Sequence, residues 1–477
     1  MSTHAGADGG PDPQRWRALA VCLVAGFMTL LDISIVNVAL PAIEEGTNAS
    51  TSDLQWIVSG YALTFGLVLV PAGRLGDVRS RRLMFAIGVA VFTLSSVGAG
   101  LAPTSLVLVI ARLAQGVGGG LLNPQVSGLI QEEFRGAERG KAFGMLAATI
   151  GISTAVGPLL GGVIIDLLGE EHGWRWIFFV NVPIGIVCIA LALRWVPEHV
   201  GGRRHEDLDL VGVLLLGAGV FSVLLPLVQQ RQWSGPGKWW LLLLGALLLG
   251  AFVQWERRQL RHGRHPLVDL RLFSIETYSA GTAIAFLYFS GFTSIFFIVT
   301  IYLQSGMRYS ALLAGLSVTP FAVGSAVTAL VGGRVVSRIG RPLVVLGLVL
   351  VVVGLVAADV LVGWHGDEHR IGWWLAVPLG VAGLGSGLVI SPNLTLTVSE
   401  VPVPQAGTAS GVMQTGQRMA TAAGIALIGS VFFGTLASSH DPAAALNDGL
   451  RVTVVIVAVA LVAGVIDVWA TRRREAR

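Results

Sequence analysis

Apolar runs of about 20 residues recur along the chain, separated by short polar connections. Fourteen helices are predicted: 17–43, 54–73, 83–102, 105–124, 140–166, 176–196, 209–229, 238–255, 278–303, 311–335, 342–363, 373–396, 406–434 and 450–470. At about 1.5 Å rise per residue, each can cross about 30 Å of hydrocarbon. The pattern therefore predicts an all-α polytopic membrane protein. A few polar positions interrupt the runs. The first lies in LLDISIVNVALP (30–41), where Asp32 stands in a stretch that is otherwise nearly all apolar.

Composition agrees with this pattern. Only 13% of the 477 residues are charged and 53% are hydrophobic, whereas a soluble chain carries about a quarter charged residues. The two cysteines, Cys22 and Cys188, both sit in apolar runs and imply no disulfide framework. Residues 1–16 are rich in Gly and Pro and are expected to be disordered and cytoplasmic. The run that follows lacks a small-residue cleavage site and reads as a retained first helix.

The basic pI of about 9.4 raises the question of nucleic acid, and the placement of Lys and Arg answers it. Alternate connections hold 24 of the 32 basic residues, the opposite connections hold 6, and Arg112 and Arg418 lie inside spans. Such a bias predicts that both termini are cytoplasmic and leaves the charge to topology and anionic lipid contact. Abundant Gly, Ala, Val and Arg with only two lysines suggests a high-GC bacterium, and hence its plasma membrane.

The chain also repeats itself. GVGGGLLNP (116–124) matches GLGSGLVISP (383–392) at an offset of 267, and Gly140, Gly144, Gly157 and Gly162 fall on Gly407, Gly411, Gly424 and Gly429 at the same offset. GRLGDVRSRR (73–82) matches GRVVSRIGRP (333–342) at an offset of 260. Spans 1–6 and 9–14 thus read as two copies of one unit, 17–200 and 271–470, with two inserted spans in 201–270 and a basic tail at 471–477. Parallel six-span repeats place a site near the midplane between the halves. Where the copies differ, repetition alone does not account for the residue: Arg112 falls on Leu379, Gly151 on Arg418, Pro158 on Ile425 and Asp77 on Ser337.

Several of these positions have readable chemistry. In GRLGDVRSRR, Asp77 can meet a helix N-terminus or Arg81 and latch two helices. Gly73, Asp77, Arg81 and Arg82 are read as a conformational element. In AVGPLLGG (155–162), Pro158 removes a backbone hydrogen bond, while Gly157, Gly161 and Gly162 permit close helix contact. Arg112 is costly inside a span and is read as facing an interior cavity or as a structural ion pair. Arg418 is divided between substrate contact and a structural cap. Asp32 is read as the only deep protonatable group, because the other acids lie near helix ends and the histidines lie outside the spans. The ninth span carries Phe286, Tyr288, Phe289, Phe292, Phe296, Phe297 and Tyr302, some of them suited to an apolar pocket. Neither a nucleophile–base pair nor a metal cluster is evident, and the glycines at 116–120 follow no strand, so neither an enzyme nor a phosphate loop is expected.

LDISIVNVALPAI (31–43), GRLGDVRSRR, RLAQGVGGGLLNP (112–124), AVGPLLGG and WRWIFFVNVPIG (174–185) together resemble the 14-helix drug:proton antiporter branch of the major facilitator superfamily. The resemblance covers nearly the whole chain. It departs at Ser80, where the family usually has glycine. The resemblance implies alternating access, export in exchange for protons without a cofactor, and a central cavity lined by the first and fourth helices. Asp32 would then carry the proton beside Arg112. Asn37, Gln115, Asn123, Gln125, Phe289, Phe292, Gln414 and Arg418 would contact a small amphipathic organic substrate, expected to be cationic or neutral. An importer or lipid facilitator of the same fold, and a sensor or assembly subunit without transport, are the alternatives. Nothing in the sequence identifies an adaptor protein.

Overall fold

The computed structural model describes residues 14–198, 209–229, 233, 235–366, 368 and 370–475. The disorder expected for 1–16 falls largely on residues 1–13, which lie outside the described residues, as do Arg203, Arg204, Arg231 and Arg477 of the charge count. Residues 14–16 are helical, and the last helix continues through most of the expected basic tail.

The first half contributes α1 (Gln14–Thr47), α2 (Thr51–Val78), α3 (Arg81–Gly100), α4 (Ser105–Glu133), α5 (Gly136–Leu168), α6 (Glu170–Phe179) and α7 (Asn181–Trp195). The inserted pair is α8 (Leu210–Val228) and α9 (Trp240–Arg261). The second half contributes α10 (Glu276–Ile301), α11 (Ala311–Ile339), α12 (Pro342–His365), α13 (Ile371–Thr397), α14 (Ala406–Ser439) and α15 (Pro442–Glu475). Among the described residues there is no strand, and 14 spans are long and apolar enough to cross a membrane, α6 and α7 together supplying the sixth. The helices exceed the predicted runs because polar caps, rather than the last apolar residue, end them. Ser50, Ser80, Thr104 and Ser310 each accept a backbone N–H three residues on, at the start of α2, α3, α4 and α11. Ser80 is extended, with φ −159°, so the turn before α3 does not need the glycine that the resemblance led one to expect.

The halves meet along two seams, α2 against α14 and α5 against α11. Both seams obey the sequence repeat. A Cβ on Gly73 would stand 2.2 Å from the carbonyl oxygen of Gly407, and one on Gly140 would stand 2.3 Å from that of Gly333. Gly73 and Gly333 are equivalent in the repeat, as are Gly407 and Gly140, so one contact is the image of the other. Further along, Gly411 meets the Leu69 carbonyl and Gly144 that of Ala329, again as repeat images. Small residues on both partners let the backbones touch, the usual way helices associate where lipid offers no hydrophobic contrast.

The inserted pair does not stand apart. α8 packs against both α2 and α14. Its Val220 and Leu224 join Leu63 and Trp56 of α2 and Met419 and Ala422 of α14 in one apolar cluster. The insertion therefore covers one seam between the halves.

Candidate functional site

Two polar centres and one latch lie along the interface. The first centre is built on α1. Leu30, Ile33, Ser34 and Asn37 face the space between the halves, whereas Asp32 points almost oppositely around the helix, into the first bundle. Asp32 and Gln115 are fully buried, Arg112 and Asn181 nearly so. Arg112 Nη1 donates a hydrogen bond to Asp32 Oδ2. Gln115 Nε2 and Asn181 Nδ2 each donate to Asp32 Oδ1 at 2.9 Å. Three donors on two oxygens suit an ionised carboxylate. The guanidinium also donates through Nε to the Ile57 carbonyl at 3.0 Å and through Nη1 to Gln115 Oε1 at 2.6 Å, and it lies 4.4 Å from the Tyr61 ring centroid. Ser96 Oγ closes the network, accepting from Gln115 Nε2 at 2.7 Å. Both Asp32 oxygens and two of the three guanidinium nitrogens are thus partnered.

The second centre is a cavity of about 310 Å³ between the halves. Asn37 and Asn123 come from the first half. Gln414, Gln417 and Arg418 come from α14, and Phe289, Phe292 and Phe296 from α10. Phe296 packs edge-on against Phe321 with ring centroids 4.9 Å apart, which fixes the aromatic wall. Arg418 lies 4.6 Å from the Phe65 ring centroid. Tyr288 lines the cavity as well. Of the remaining ninth-span aromatics, Phe286 is exposed, Phe297 meets Phe433, and Tyr302 Oη donates to the Gly366 carbonyl.

This separation corrects four expectations. Asp32 and Arg112 do not line the cavity, because the helix turn that presents Ile33 and Ser34 to it turns Asp32 away. Gln115 belongs to the Asp32 network. Gln125 is spent on the backbone, donating to the carbonyls of Ala72 and Leu121.

The latch lies at the end of the bundle where α1 begins and α15 finishes. Asp77, with its side chain fully buried, accepts from Arg81 Nη2 at 2.8 Å, from the Gly407 and Thr408 backbone N–H groups at 2.9 and 2.7 Å, and from Thr408 Oγ1 at 2.8 Å. Those two amides belong to the first turn of α14, so one carboxylate meets both an arginine and a helix N-terminus. Arg81 also donates to Glu132, Gly128 and Val403. Arg82 is elsewhere, paired with Glu198 at 2.6 Å. Of the helix 5 glycines, Gly157 and Gly161 lie against Ser34 and Ile35 of α1, with Ser34 Oγ donating to the Ser153 carbonyl at 3.1 Å. Gly162 has nothing within 4 Å of a built Cβ, so it makes no close helix contact.

Ser34 and Gln417 of the cavity and Ser96 of the Asp32 network were not singled out in the sequence, and two further residues escaped it. Asn181 lay in a quoted motif, but a neutral amide in an apolar run carries no charge to mark it. Glu256 lies one residue beyond the predicted end of its span, yet it is as fully buried as Asp32. Its Oε2 accepts from the Val268 N–H at 3.3 Å and its Oε1 has no partner among the described residues. Asp32 is therefore not the only buried carboxyl.

Comparison with known proteins fits this arrangement. The profile described as Major Facilitator Superfamily matches residues 22–425 and 282–476. A probable actinorhodin transporter of Streptomyces coelicolor is 37% identical over 93% of this chain and 77% of its own length. The multidrug resistance protein Stp of Mycobacterium tuberculosis is 33% identical over 87% of this chain and 75% of its own. Among solved structures, the human organic anion transporter MFSD10 superposes with a TM-score of 0.69 over 95% of this chain and all of that one, at 14% identity, a likeness of fold. The chain belongs to the Major Facilitator Superfamily, a family of transporters rather than enzymes, within its bacterial drug-efflux branch.

Proposed function

We propose that the protein exports amphipathic organic compounds from a bacterial cell in exchange for protons, with Asp32 as the proton carrier and both termini in the cytoplasm. The observation that carries this reading is the Asp32 network: a carboxylate sealed in an apolar bundle, balanced by one arginine and two amides. A buried pair is strongly unsettled when one partner loses its charge. Protonation of Asp32 removes the counter-ion of Arg112 and so gives the bundle a reason to rearrange.

Because Asp32 does not touch the cavity, coupling in this reading is carried by α1. One face of that helix holds the proton site and the other holds Leu30, Ile33, Ser34 and Asn37 against the substrate. Moving α1 on the Gly157–Gly161 face of α5 changes both together. With the terminal end cytoplasmic, the Asp77 latch and the Gly140–Gly333 contact keep the structure closed on the cytoplasmic side. Opening there requires Asp77 to leave α14. The relatives named as an actinorhodin transporter and a multidrug resistance protein support organic cargo.

Everted vesicles test the reading. Vesicles energised to an acidic interior are expected to accumulate an organic dye beyond empty-vector controls and to release it when a protonophore is added. Accumulation unaffected by the protonophore would refute proton-driven export.

A further inference from the structure

The charge in the cavity runs against a cationic substrate, one of the two classes, cationic or neutral, expected from the sequence. The lining contains no Asp or Glu, and Arg418 is its one charged residue among the described positions. Arg418 is also unmatched: among the described residues no carboxylate lies within salt-bridge distance and no acceptor takes a hydrogen bond from its guanidinium. Its guanidinium rests one face on the Phe65 ring. An arginine within a span is costly and is ordinarily held there by a partner. Arg112 has one in Asp32. Arg418 has only the cavity.

The repeat sharpens the point. Arg418 stands where the other half has Gly151, and the packing around them is equivalent. A Cβ on Gly151 would lie 3.5 Å from Ala326 Cβ, while Arg418 Cβ lies 3.8 Å from a Cβ built on Gly66, the repeat image of Ala326. A glycine thus serves the helix contact at this position, so the arginine side chain is not needed for packing. It projects from the seam into the space where a substrate sits.

We infer that the cavity binds aromatic organic anions, molecules with a planar apolar body and one carboxylate, sulfonate or ionised phenol, with Arg418 as their counter-ion. The anion completes a charge-assisted pair that the protein leaves open. The rings lie along Phe289, Phe292 and Phe296, and Asn37 and Gln417 supply neutral hydrogen bonds. A volume of about 310 Å³ admits a drug-sized molecule. An organic cation would instead share a low-dielectric space with Arg418 and meet no acid. The inference rests on the export reading only in taking this cavity as the substrate site.

The test uses two dyes on the same xanthene ring: fluorescein, an anion, and tetramethylrhodamine ethyl ester, a cation. Binding is read by fluorescence anisotropy with the full-length purified protein. Fluorescein is expected to bind at least about tenfold more tightly than the rhodamine, and Arg418→Gln to weaken fluorescein by about tenfold or more while leaving the rhodamine unchanged or improved. Arg418→Lys keeps the charge and is expected to retain most of the fluorescein affinity. Thermal melting establishes that each variant is folded. Tighter binding of the rhodamine, binding of neither dye, or fluorescein binding that a folded Arg418→Gln protein retains in full overturns the inference. Transport of both dyes in everted vesicles separates the two readings. Arg418-dependent fluorescein binding without energised transport sinks export but leaves the anion site standing. Energised transport and binding of the rhodamine alone does the reverse.

Discussion

At the scale of single residues, Asp32 and Arg112 act as a unit with Gln115 and Asn181 around them. Replacing Asp32 by Ala strands a buried guanidinium, and the expected cost is about 3–5 kcal/mol of stability, read as a lowered melting temperature. Asp32→Asn keeps the shape but turns one acceptor into a donor facing a donor and removes the counter-ion of Arg112, so it is expected to lower stability as well, by less than the Ala variant because no space is left empty. Asn181→Ala removes one donor to Oδ1 and leaves part of the carboxylate unpaired, at about 1–3 kcal/mol. Its more telling effect is expected in transport, where the pH profile should shift while expression and folding hold. If Asn181→Ala left the pH profile of transport unmoved, its place in the proton site would be wrong. The charged members of this cluster were legible in the sequence because a charge in an apolar run has few explanations. Asn181 was not, since an amide there is cheap enough to pass as packing. The facing of Asp32 was not legible either. About half a turn of helix separates a residue that lines a cavity from one that is sealed behind it, and neighbours, not spacing alone, decide which.

At the scale of elements, α1 and the two seams carry the mechanism. A Cβ at Gly157 would stand 1.9 Å from Ser34 Oγ and 2.7 Å from Ser34 Cβ, so Gly157→Ala must push α1 off α5. Dye transport by this variant is expected to fall by about an order of magnitude, with partial recovery when Ser34→Gly is added, because the clash is local. Wild-type rates in Gly157→Ala would show that α1 does not need that contact to move. The latch makes a separate prediction. Asp77→Ala removes four hydrogen bonds, several of them charge-assisted and worth about 1.5–3 kcal/mol each. Spin labels placed near the ends of α2 and α14 are expected to report a wider separation in this variant than in the wild type. An unchanged distance distribution would remove Asp77 from the gate. Pro158 and its glycines were legible as a tight-packing element, but the sequence held no sign that Gly162 faces away from that contact.

At the scale of the whole molecule, the repeat is what the sequence expressed most fully. Offsets of 260 and 267 anticipated spans in register, and the structure turns them into paired contacts, Gly73 with Gly407 and Gly140 with Gly333. The even number of spans and the bias of basic residues together predict cytoplasmic termini. Green fluorescent protein fused to either end is expected to fluoresce and alkaline phosphatase fused there to remain inactive; the opposite pattern would invert the transporter and with it the direction of export. The position of the inserted pair could not be read in advance. Its apolar surface suits lipid or protein equally in composition, and only the packing of α8 on both α2 and α14 assigns it to the seam.

The central claim, that Asp32 carries the proton, is tested most directly by comparing two modes of transport in proteoliposomes holding wild-type or Asp32→Asn protein. One mode is uphill dye movement driven by an imposed pH gradient. The other is exchange of dye at equal pH, which needs alternating access but no net proton movement. Asp32→Asn is expected to retain exchange and to lose the pH-driven mode. Full pH-driven transport by Asp32→Asn would contradict it.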